Sequence, residues 1–126
     1  MARILLVEDD PLVRAMLVET LMTEGHDITT AEDGAAAVAA YRAAPFDLVI
    51  TDIVMPGSTG IEAITRLCRD TPKPIIFAIS GGGVHMHNDA VLHAAIQAGA
   101  ARAFAKPVDP DVLTAAIADA LATRVA

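Results

Sequence analysis

The sequence predicts an α/β domain in which helices cover both faces of a doubly wound, five-stranded parallel sheet. Short apolar segments alternate with longer segments of helical character five times along the chain. Strands that alternate with helices of this length form βαβ units, whose strands are parallel and whose crossovers are right-handed. The predicted strands are apolar on both faces, as expected when helices pack on both sides of a sheet. We expect a single domain over residues 1–126.

Each strand is predicted from a short run of apolar or β-branched residues without a helical period. The five strands are predicted at 2–7, 27–31, 47–51, 74–79 and 101–105. Glycine and proline mark the ends of the helices, since Pro11 opens the first helix, Gly25 closes it, and Pro45 follows the second. The five helices are predicted at 11–25, 34–44, 60–70, 88–98 and 110–122.

Composition excludes several classes of function. The formal net charge of −7 argues against a nucleic-acid-binding surface, because phosphate backbones attract the opposite charge. The single cysteine, Cys68, cannot form an internal disulfide and is typical of a reducing compartment. The chain contains no apolar run of about 18 residues, the length that would span a membrane, and does not open with a secretory signal pattern. We therefore expect a cytoplasmic protein that binds neither nucleic acid nor membranes.

Chemically active side chains follow four of the predicted strands. In open α/β sheets, ligands bind outside the carboxyl ends of the strands, near the point where the strand order reverses. Asp52 directly follows an apolar strand, where a charge must be paired or used. The residues that follow the first, third, fourth and fifth strands are Glu8, Asp9 and Asp10; Asp52; Ser80; and Lys106 and Pro107.

These residue types favour Mg²⁺ and phosphoryl transfer. Clustered carboxylates repel one another, and a hard divalent cation removes that repulsion. Oxygen ligands with no histidine or cysteine nearby favour Mg²⁺ over zinc. Mg²⁺, an ammonium and a hydroxyl around a carboxylate suit phosphoryl chemistry, because each neutralises or bonds phosphoryl oxygens. The carboxylate itself can act as the nucleophile, so the residues suggest a phosphorylated Asp52.

Four motifs stand at the ends of the predicted strands. They are LLVEDDP at 5–11, DLVITDIVMPGSTGIE at 47–62, IIFAISG at 75–81 and FAKP at 104–107. With these motifs in this order, the sequence resembles a receiver domain of two-component signalling over essentially its whole length. The resemblance implies a flavodoxin-like sheet with the strand order 2-1-3-4-5. It also implies a stand-alone, chemotaxis-type response regulator.

The resemblance implies a role for each residue that follows a strand. Asp52 is the phosphoacceptor, which takes the phosphoryl group from the phosphohistidine of a histidine kinase or from a phosphotransfer protein. Asp9 binds Mg²⁺ directly and Glu8 binds it through water, and the backbone carbonyl of Val54 completes the protein's ligands. Asp10 lies one place beyond the acidic pair of the family and is expected to be a surface acid.

The remaining implied roles concern the response to phosphorylation. The hydroxyl of Ser80 moves toward the phosphoryl group, and Lys106 pairs with that group. The peptide bond between Lys106 and Pro107 is expected to be cis. The signal then passes to a downstream protein target or along a phosphorelay, and the domain catalyses only its own phosphorylation and dephosphorylation. Val54 and Gly82 stand where family members hold side chains over the path of the hydrolytic water, and neither can orient that water.

Structural alternatives exist for these assignments. Asp9 and Asp10 could simply cap the first helix. Ser80 could be an ordinary loop residue, and Lys106 could begin a plain turn into the last helix. The whole chain could be a phosphohydrolase, although such enzymes need a second acid where this chain has Val54, or a degenerate receiver that only binds partners.

Two positions depart from the pattern of the family. Receivers commonly carry tyrosine or phenylalanine three residues before the lysine, but this chain has Ala103 there. The nearby Phe104 is expected to point to the other face of the sheet, because side chains alternate along a strand. The loop SGGGVHMHNDA at 80–90 is long and glycine-rich. We expect the conformational response in this loop and in the helix after it.

Overall fold

A computed structural model of the chain describes residues 2–55, 58–69, 73–80 and 88–125, and it describes the backbone alone at 54–55, 58–59, 88–91 and 123–125. Strands and helices alternate as the sequence predicts. The elements are β1 (Arg3–Val7), α1 (Pro11–Thr23), β2 (Asp27–Ala31), α2 (Gly34–Ala43), β3 (Leu48–Asp52), α3 (Gly60–Leu67), β4 (Ile75–Ser80), α4 (Asn88–Ala98), β5 (Arg102–Ala105) and α5 (Pro110–Val125).

The five long strands form one parallel sheet in the order β2-β1-β3-β4-β5. This confirms the predicted fold class and the strand order that the resemblance implies. All five strands run in the same direction, so their carboxyl ends lie along one edge of the sheet, which we call the carboxyl edge. The chain leaves β1 for β2 on one side and enters β3 on the other, and the strand order therefore reverses beside the end of β1.

Two apolar cores lie on opposite faces of the sheet and explain why the strands are apolar at successive positions. Leu5 and Leu6 are neighbours in β1, are both fully buried, and belong to different cores. The first core includes residues of α2, α3 and α4, among them Tyr41, Ile64 and Ala95. The second core includes residues of α1 and α5, among them Leu17, Leu21, Leu113 and Ile117.

The third and fourth strands end one residue later than predicted. Asp52 is the last residue of β3 and pairs in register with Ile79, and Ser80 is the last residue of β4. The backbone pairing continues past the apolar run, since the amide of Ile53 donates to the Ile79 carbonyl at 2.9 Å. The sequence prediction ended each strand where the apolar residues end, whereas a strand ends where its backbone hydrogen bonds end.

Three further differences concern short segments and helix ends. Val54–Met55 pairs with Ser58–Thr59 in a small antiparallel ladder that was not predicted, because two-residue strands are too short to carry a pattern. The third helix ends at Leu67 and not at 70, and a tighter turn follows, in which the amide of Arg69 donates to the Arg66 carbonyl at 3.1 Å. The last helix continues to Val125 and not to 122.

The edge strand β5 places its neighbouring residues on opposite faces, as the sequence predicts. Ala103 packs against the first core, and Phe104 packs against the second. The rings of Phe104 and Phe77 lie 5.5 Å apart between centroids. The aromatic side chain in this strand therefore belongs to the core under α1 and α5, and the position where receivers commonly hold an aromatic residue has a methyl group.

Helices that could cross a membrane are absent from the described part of the chain, since none is both long and apolar enough.

Alanine at Gly99 should lower the free energy of unfolding more than alanine at Gly25 does. Both Gly25 and Gly99 have positive φ angles, of 87° and 129°, where other residues are strained. A Cβ at Gly25 would meet open space, whereas a Cβ at Gly99 would collide with the Cys68 sulfur. We expect Gly25→Ala to lower the free energy of unfolding by about 1 kcal/mol and Gly99→Ala by about 2–3 kcal/mol.

Urea unfolding of the two variants measures this difference. Adding Cys68→Ala to Gly99→Ala removes the colliding sulfur, and we expect it to recover part of the loss. Equal destabilisation by Gly25→Ala and Gly99→Ala would contradict the role assigned to the contact with Cys68.

Candidate functional site

The residues predicted to carry the chemistry gather at the carboxyl edge. Glu8 follows β1, Asp52 ends β3, Ser80 ends β4 and Lys106 follows β5. These four strands are adjacent in the sheet, so their parallel pairing brings together side chains that are far apart in the sequence. Glu8, Asp52 and Ser80 are buried, which is unusual for groups that carry charge or a hydroxyl.

Lys106 joins two of the buried carboxylates. Its Nζ atom lies 2.6 Å from Oε1 of Glu8 and donates a hydrogen bond of 3.0 Å to Oδ2 of Asp52. The Lys106 side chain is 18% exposed, so these ion pairs are shielded from bulk water. The Lys106 amide also donates to the Ser80 carbonyl at 2.9 Å, which ties the start of the β5–α5 turn to the end of β4.

Three carboxylates converge beside this lysine. Oxygen atoms of Glu8, Asp9 and Asp52 all lie within 4.8 Å of one another, and Asp9 is partly exposed. Oxygen ligands of this kind fit a hard cation such as Mg²⁺. Among the described residues, the buried Oε1 of Glu8 has its ion pair with Lys106 but no aligned hydrogen-bond donor. These oxygens could therefore bind a divalent ion, which would offset the repulsion between the carboxylates.

The electrostatics of the site follow from burial and crowding. Burial raises the pKa of Glu8 to about 7; Asp52 raises it further through a hydrogen bond and its charge, while Lys106 opposes the rise. Burial alone would lower the pKa of Lys106, but the close approach of the Glu8 and Asp52 carboxylates outweighs burial and raises that pKa. The lysine thus stays protonated, whereas Glu8 becomes fully charged only above neutral pH.

Asp9 and Asp10 differ in position, since Asp10 caps a helix and Asp9 lies with the other carboxylates. Asp10 is exposed and caps α1, with its Oδ1 accepting from the amides of Leu12 at 2.9 Å and Val13 at 3.4 Å. Asp9 belongs to the carboxylate cluster. The prediction that Asp10 is a surface acid is therefore confirmed, and its second role is to begin the helix beside the site.

One supporting residue was not predicted from the sequence. Arg14, one turn into α1, donates from Nη1 to the backbone carbonyl of Glu8 at 3.0 Å. This contact holds the turn that carries Glu8 and Asp9. Arg14 lies six residues after Glu8, near the start of α1. An arginine at this place in a surface helix has no sequence signal that would predict the contact.

Two further predicted features, the backbone of Val54 and the Lys106–Pro107 bond, are described by the structure. The backbone of Val54 lies two residues beyond Asp52, in the short ladder with Thr59. The Lys106–Pro107 bond is cis, as the resemblance implies. The loop residues that follow Ser80, Gly82 among them, lie outside the described residues.

Comparison with known proteins identifies the family. The model of the response regulator receiver domain matches residues 4–118. The chain belongs to this family. Receiver domains take part in two-component signalling, and their general mechanism is phosphotransfer to an aspartate.

Curated receivers resemble the chain at two different scales. PilH of Pseudomonas aeruginosa is 36% identical over 122 residues, which cover 97% of this chain and 99% of PilH. The transcriptional regulatory protein TcrA of Mycobacterium tuberculosis is 37% identical over 114 residues, but these cover 90% of this chain and 43% of TcrA. The receiver sequence thus matches both a protein of its own length and one that is more than twice as long.

A solved receiver has the same fold. The chemotaxis response regulator CheY4 of Vibrio cholerae superposes with a TM-score of 0.83 at 27% identity, over 95% of this chain and 98% of that one. The predicted family and fold are therefore both confirmed.

The charge imbalance of this receiver predicts a stability gain on neutralising Asp52. Asp52→Asn removes two repulsions, from Glu8 and Asp9, and one attraction, to Lys106, which keeps Glu8 as its partner. We expect the free energy of unfolding in EDTA at pH 8 to rise by about 1 kcal/mol.

The pH dependence gives a sign for this prediction. A carboxyl whose pKa is raised in the folded state stabilises the fold at low pH and loses that contribution as pH rises through about 7. The Asp52→Asn gain should therefore shrink at pH 5.5, where Glu8 is protonated. Urea unfolding at both pH values measures it, and a gain that is larger at pH 5.5 would contradict the like-charge explanation.

Proposed function

We propose that this receiver takes a phosphoryl group from the phosphohistidine of a histidine kinase or a phosphotransfer protein onto Asp52. The single observation that carries this assignment is the position of Asp52, which is buried at the carboxyl edge, bonded to Lys106 and clustered with two other carboxylates. An oxygen of Asp52 attacks phosphorus, the new P–O bond forms as the P–N bond breaks, and the imidazole nitrogen keeps the electron pair of the broken bond.

Glu8, Asp9, Asp52 and the backbone carbonyl of Val54 are the proposed ligands of Mg²⁺. The ion would supply positive charge to the phosphoryl oxygens when bound. The close approach of three carboxylate groups supports this proposal, because their mutual repulsion favours a bound cation.

Lys106 and Ser80 are the proposed groups that respond to the new phosphoryl group. Phosphorylation removes the charge of the Asp52 oxygen that is esterified and brings new oxygens beside the ammonium of Lys106. The lysine can then turn from a carboxylate to a phosphoryl oxygen without losing its pairing with Glu8. Ser80 ends β4, the strand beside Asp52, and its hydroxyl can donate to another phosphoryl oxygen.

The proposed partners are proteins. The domain signals through changed binding to a downstream protein or passes the phosphoryl group along a phosphorelay, and it catalyses only reactions of its own aspartate. The net charge of −7 favours protein partners over nucleic acid. We further propose a cytoplasmic location and a single domain over residues 1–126, on the lone Cys68 and on the uninterrupted match over residues 4–118.

The central test is phosphoryl uptake by Asp52→Asn. We expect the parent protein to gain the mass of one phosphoryl group in acetyl phosphate and Mg²⁺, and Asp52→Asn to gain none, because it lacks the nucleophilic oxygen. Asp47→Asn, at the residue just before the amino end of β3, is a matched control and should keep uptake. Intact-mass measurement decides the result. Uptake at the parental rate in Asp52→Asn would exclude Asp52 as the acceptor, and repeated turnover of acetyl phosphate would favour a phosphohydrolase.

Asp9→Ala and Lys106→Ala should impair different properties, the first Mg²⁺ binding and the second the response to phosphorylation. Asp9→Ala removes a metal-binding oxygen, so we expect Mg²⁺ affinity to fall at least about tenfold. Lys106→Ala should keep Mg²⁺ binding and lose the response to phosphorylation. Asp10→Asn preserves the helix cap, and Lys73→Ala removes an exposed lysine, so both serve as controls. Calorimetric Mg²⁺ titration and amide NMR shifts on phosphorylation separate the two roles; equal loss of metal affinity in both variants would refute them.

The phosphorylated state should be long-lived. Hydrolysis needs a water held in line with phosphorus, and neither valine nor glycine can hold it at positions 54 and 82. We expect Val54→Asn to lose its phosphoryl group several-fold faster than the parent protein, because an amide can hydrogen-bond the water. Loss of the added mass over time in Mg²⁺ measures both rates. If the parent loses its phosphoryl group as fast as Val54→Asn does, the explanation is wrong.

A further inference from the structure

Gly60 is the first residue of α3, and it lies directly against the end of the strand that carries Asp52. Its amide donates a hydrogen bond of 2.7 Å to the Ile53 carbonyl. The chain thus leaves β3, passes through the short ladder and returns to touch the residue after Asp52.

The contact leaves no room for a side chain. A Cβ on Gly60 would collide with the carbonyl oxygen of Asp52, and it would lie 2.7 Å from the Ile53 Cα and 3.0 Å from the Asp52 carbonyl carbon. All three atoms belong to the backbone, so none can turn aside as the end of a flexible side chain could. Either the backbone at Asp52 and Ile53 or the start of α3 must move.

Neither helix formation nor backbone conformation explains this glycine. Glycine inside a helix costs about 0.5–1 kcal/mol relative to alanine. Gly25 and Gly99 have positive φ angles, but Gly60 is not among the glycines of the described chain that do. The contact with the backbone of Asp52 and Ile53 is therefore the feature that requires a glycine.

The same peptide group is held from two other directions. The Ile53 amide donates to the Ile79 carbonyl of β4 at 2.9 Å, and the Thr51 hydroxyl donates to the Asp52 carbonyl at 3.0 Å. Thr51 is fully buried. Since β4, Thr51 and Gly60 surround this peptide group, a displacement by an added Cβ passes to the Asp52 side chain and to Val54, the residue after Ile53.

We propose that Gly60 is a positioning residue for phosphoryl transfer. By lying against the Asp52–Ile53 peptide group, it lets the start of α3 set where the Asp52 carboxylate stands relative to Lys106 and where the Val54 carbonyl stands relative to the carboxylate cluster. This inference rests on the proposed function of Asp52. Misplacing a reacting group by about 1 Å can cost about a hundredfold in rate, so a shift of this peptide group has a measurable effect.

Gly60→Ala tests the proposal, with Gly99→Ala as the matched control. Both variants place a methyl group in a crowded position, but the Cβ at Gly99 meets the Cys68 side chain, and β5 separates Gly99 from the carboxyl edge. Uptake from acetyl phosphate at saturating Mg²⁺ and acetyl phosphate is followed by intact mass, and Mg²⁺ affinity by calorimetry. Amide NMR spectra at low temperature establish that each variant is folded.

We expect folded Gly60→Ala to take up phosphoryl about tenfold or more slowly at saturation and to bind Mg²⁺ several-fold more weakly. Gly99→Ala should lose stability but keep both quantities within about twofold of the parent, since its contact lies away from the reacting groups. A purely structural role for Gly60 predicts that both variants behave like Gly99→Ala, and that result would overturn the proposal.

Thr51→Val keeps the test decisive if Gly60→Ala does not fold. This change keeps the side-chain volume and removes the hydroxyl that donates to the Asp52 carbonyl. We expect a smaller loss of uptake rate and Mg²⁺ affinity in the same direction, and unchanged values would overturn the proposal. If the parent protein itself takes up no phosphoryl group at Asp52, the proposed function fails, and the Mg²⁺ affinities of the variants still decide whether Gly60 positions the carboxylates.

Discussion

The ammonium of Lys106 faces two buried carboxylates, and the arrangement of the carboxyl edge depends on this contact. Glu8 follows β1 and Asp52 ends β3, and both carboxylates form ion pairs with the same ammonium. Their distances to Nζ are 2.6 and 3.0 Å, so one lysine neutralises part of a cluster of three acids. Burial raises the pKa of Glu8, and the nearby Asp52 raises it further.

Burial of apolar side chains in the two cores offsets the repulsion between the clustered carboxylates. Helices cover both faces of the sheet, and the large side chains of successive strand residues are fully buried. This burial stabilises the folded domain. A receiver must hold its acceptor and its metal ligands close together in spite of their repulsion. We therefore expect stability and chemistry to oppose each other at Asp52, and the fold keeps the apolar residues along the strands and the acids at the strand ends.

The same lysine connects the site to the rest of the domain. Its amide is bonded to the end of β4, and its side chain reaches the ends of β1 and β3. A change of charge at Asp52 thus alters contacts that involve three strands and the turn into α5. The strand before this lysine carries Ala103 toward the first core and Phe104 toward the second, so any relay through β5 in this receiver works without an aromatic ring at Ala103.

The sequence by itself determined the fold class, the family and the identities of the residues at the carboxyl edge. Apolar runs, helix stops at Gly25 and Gly99, and acids placed directly after Val7 and Thr51 are local signals that one chain segment carries alone. Only the tertiary structure decided which groups touch. The approach of Glu8 and Asp9 to Asp52 depends on the pairing of β1 with β3. The contact of Gly60 with the backbone of Asp52 depends on the packing of α3 against the sheet. A glycine in a sequence reads as a turn or a weak helix position, because the atom that would collide with its missing side chain belongs to another part of the chain.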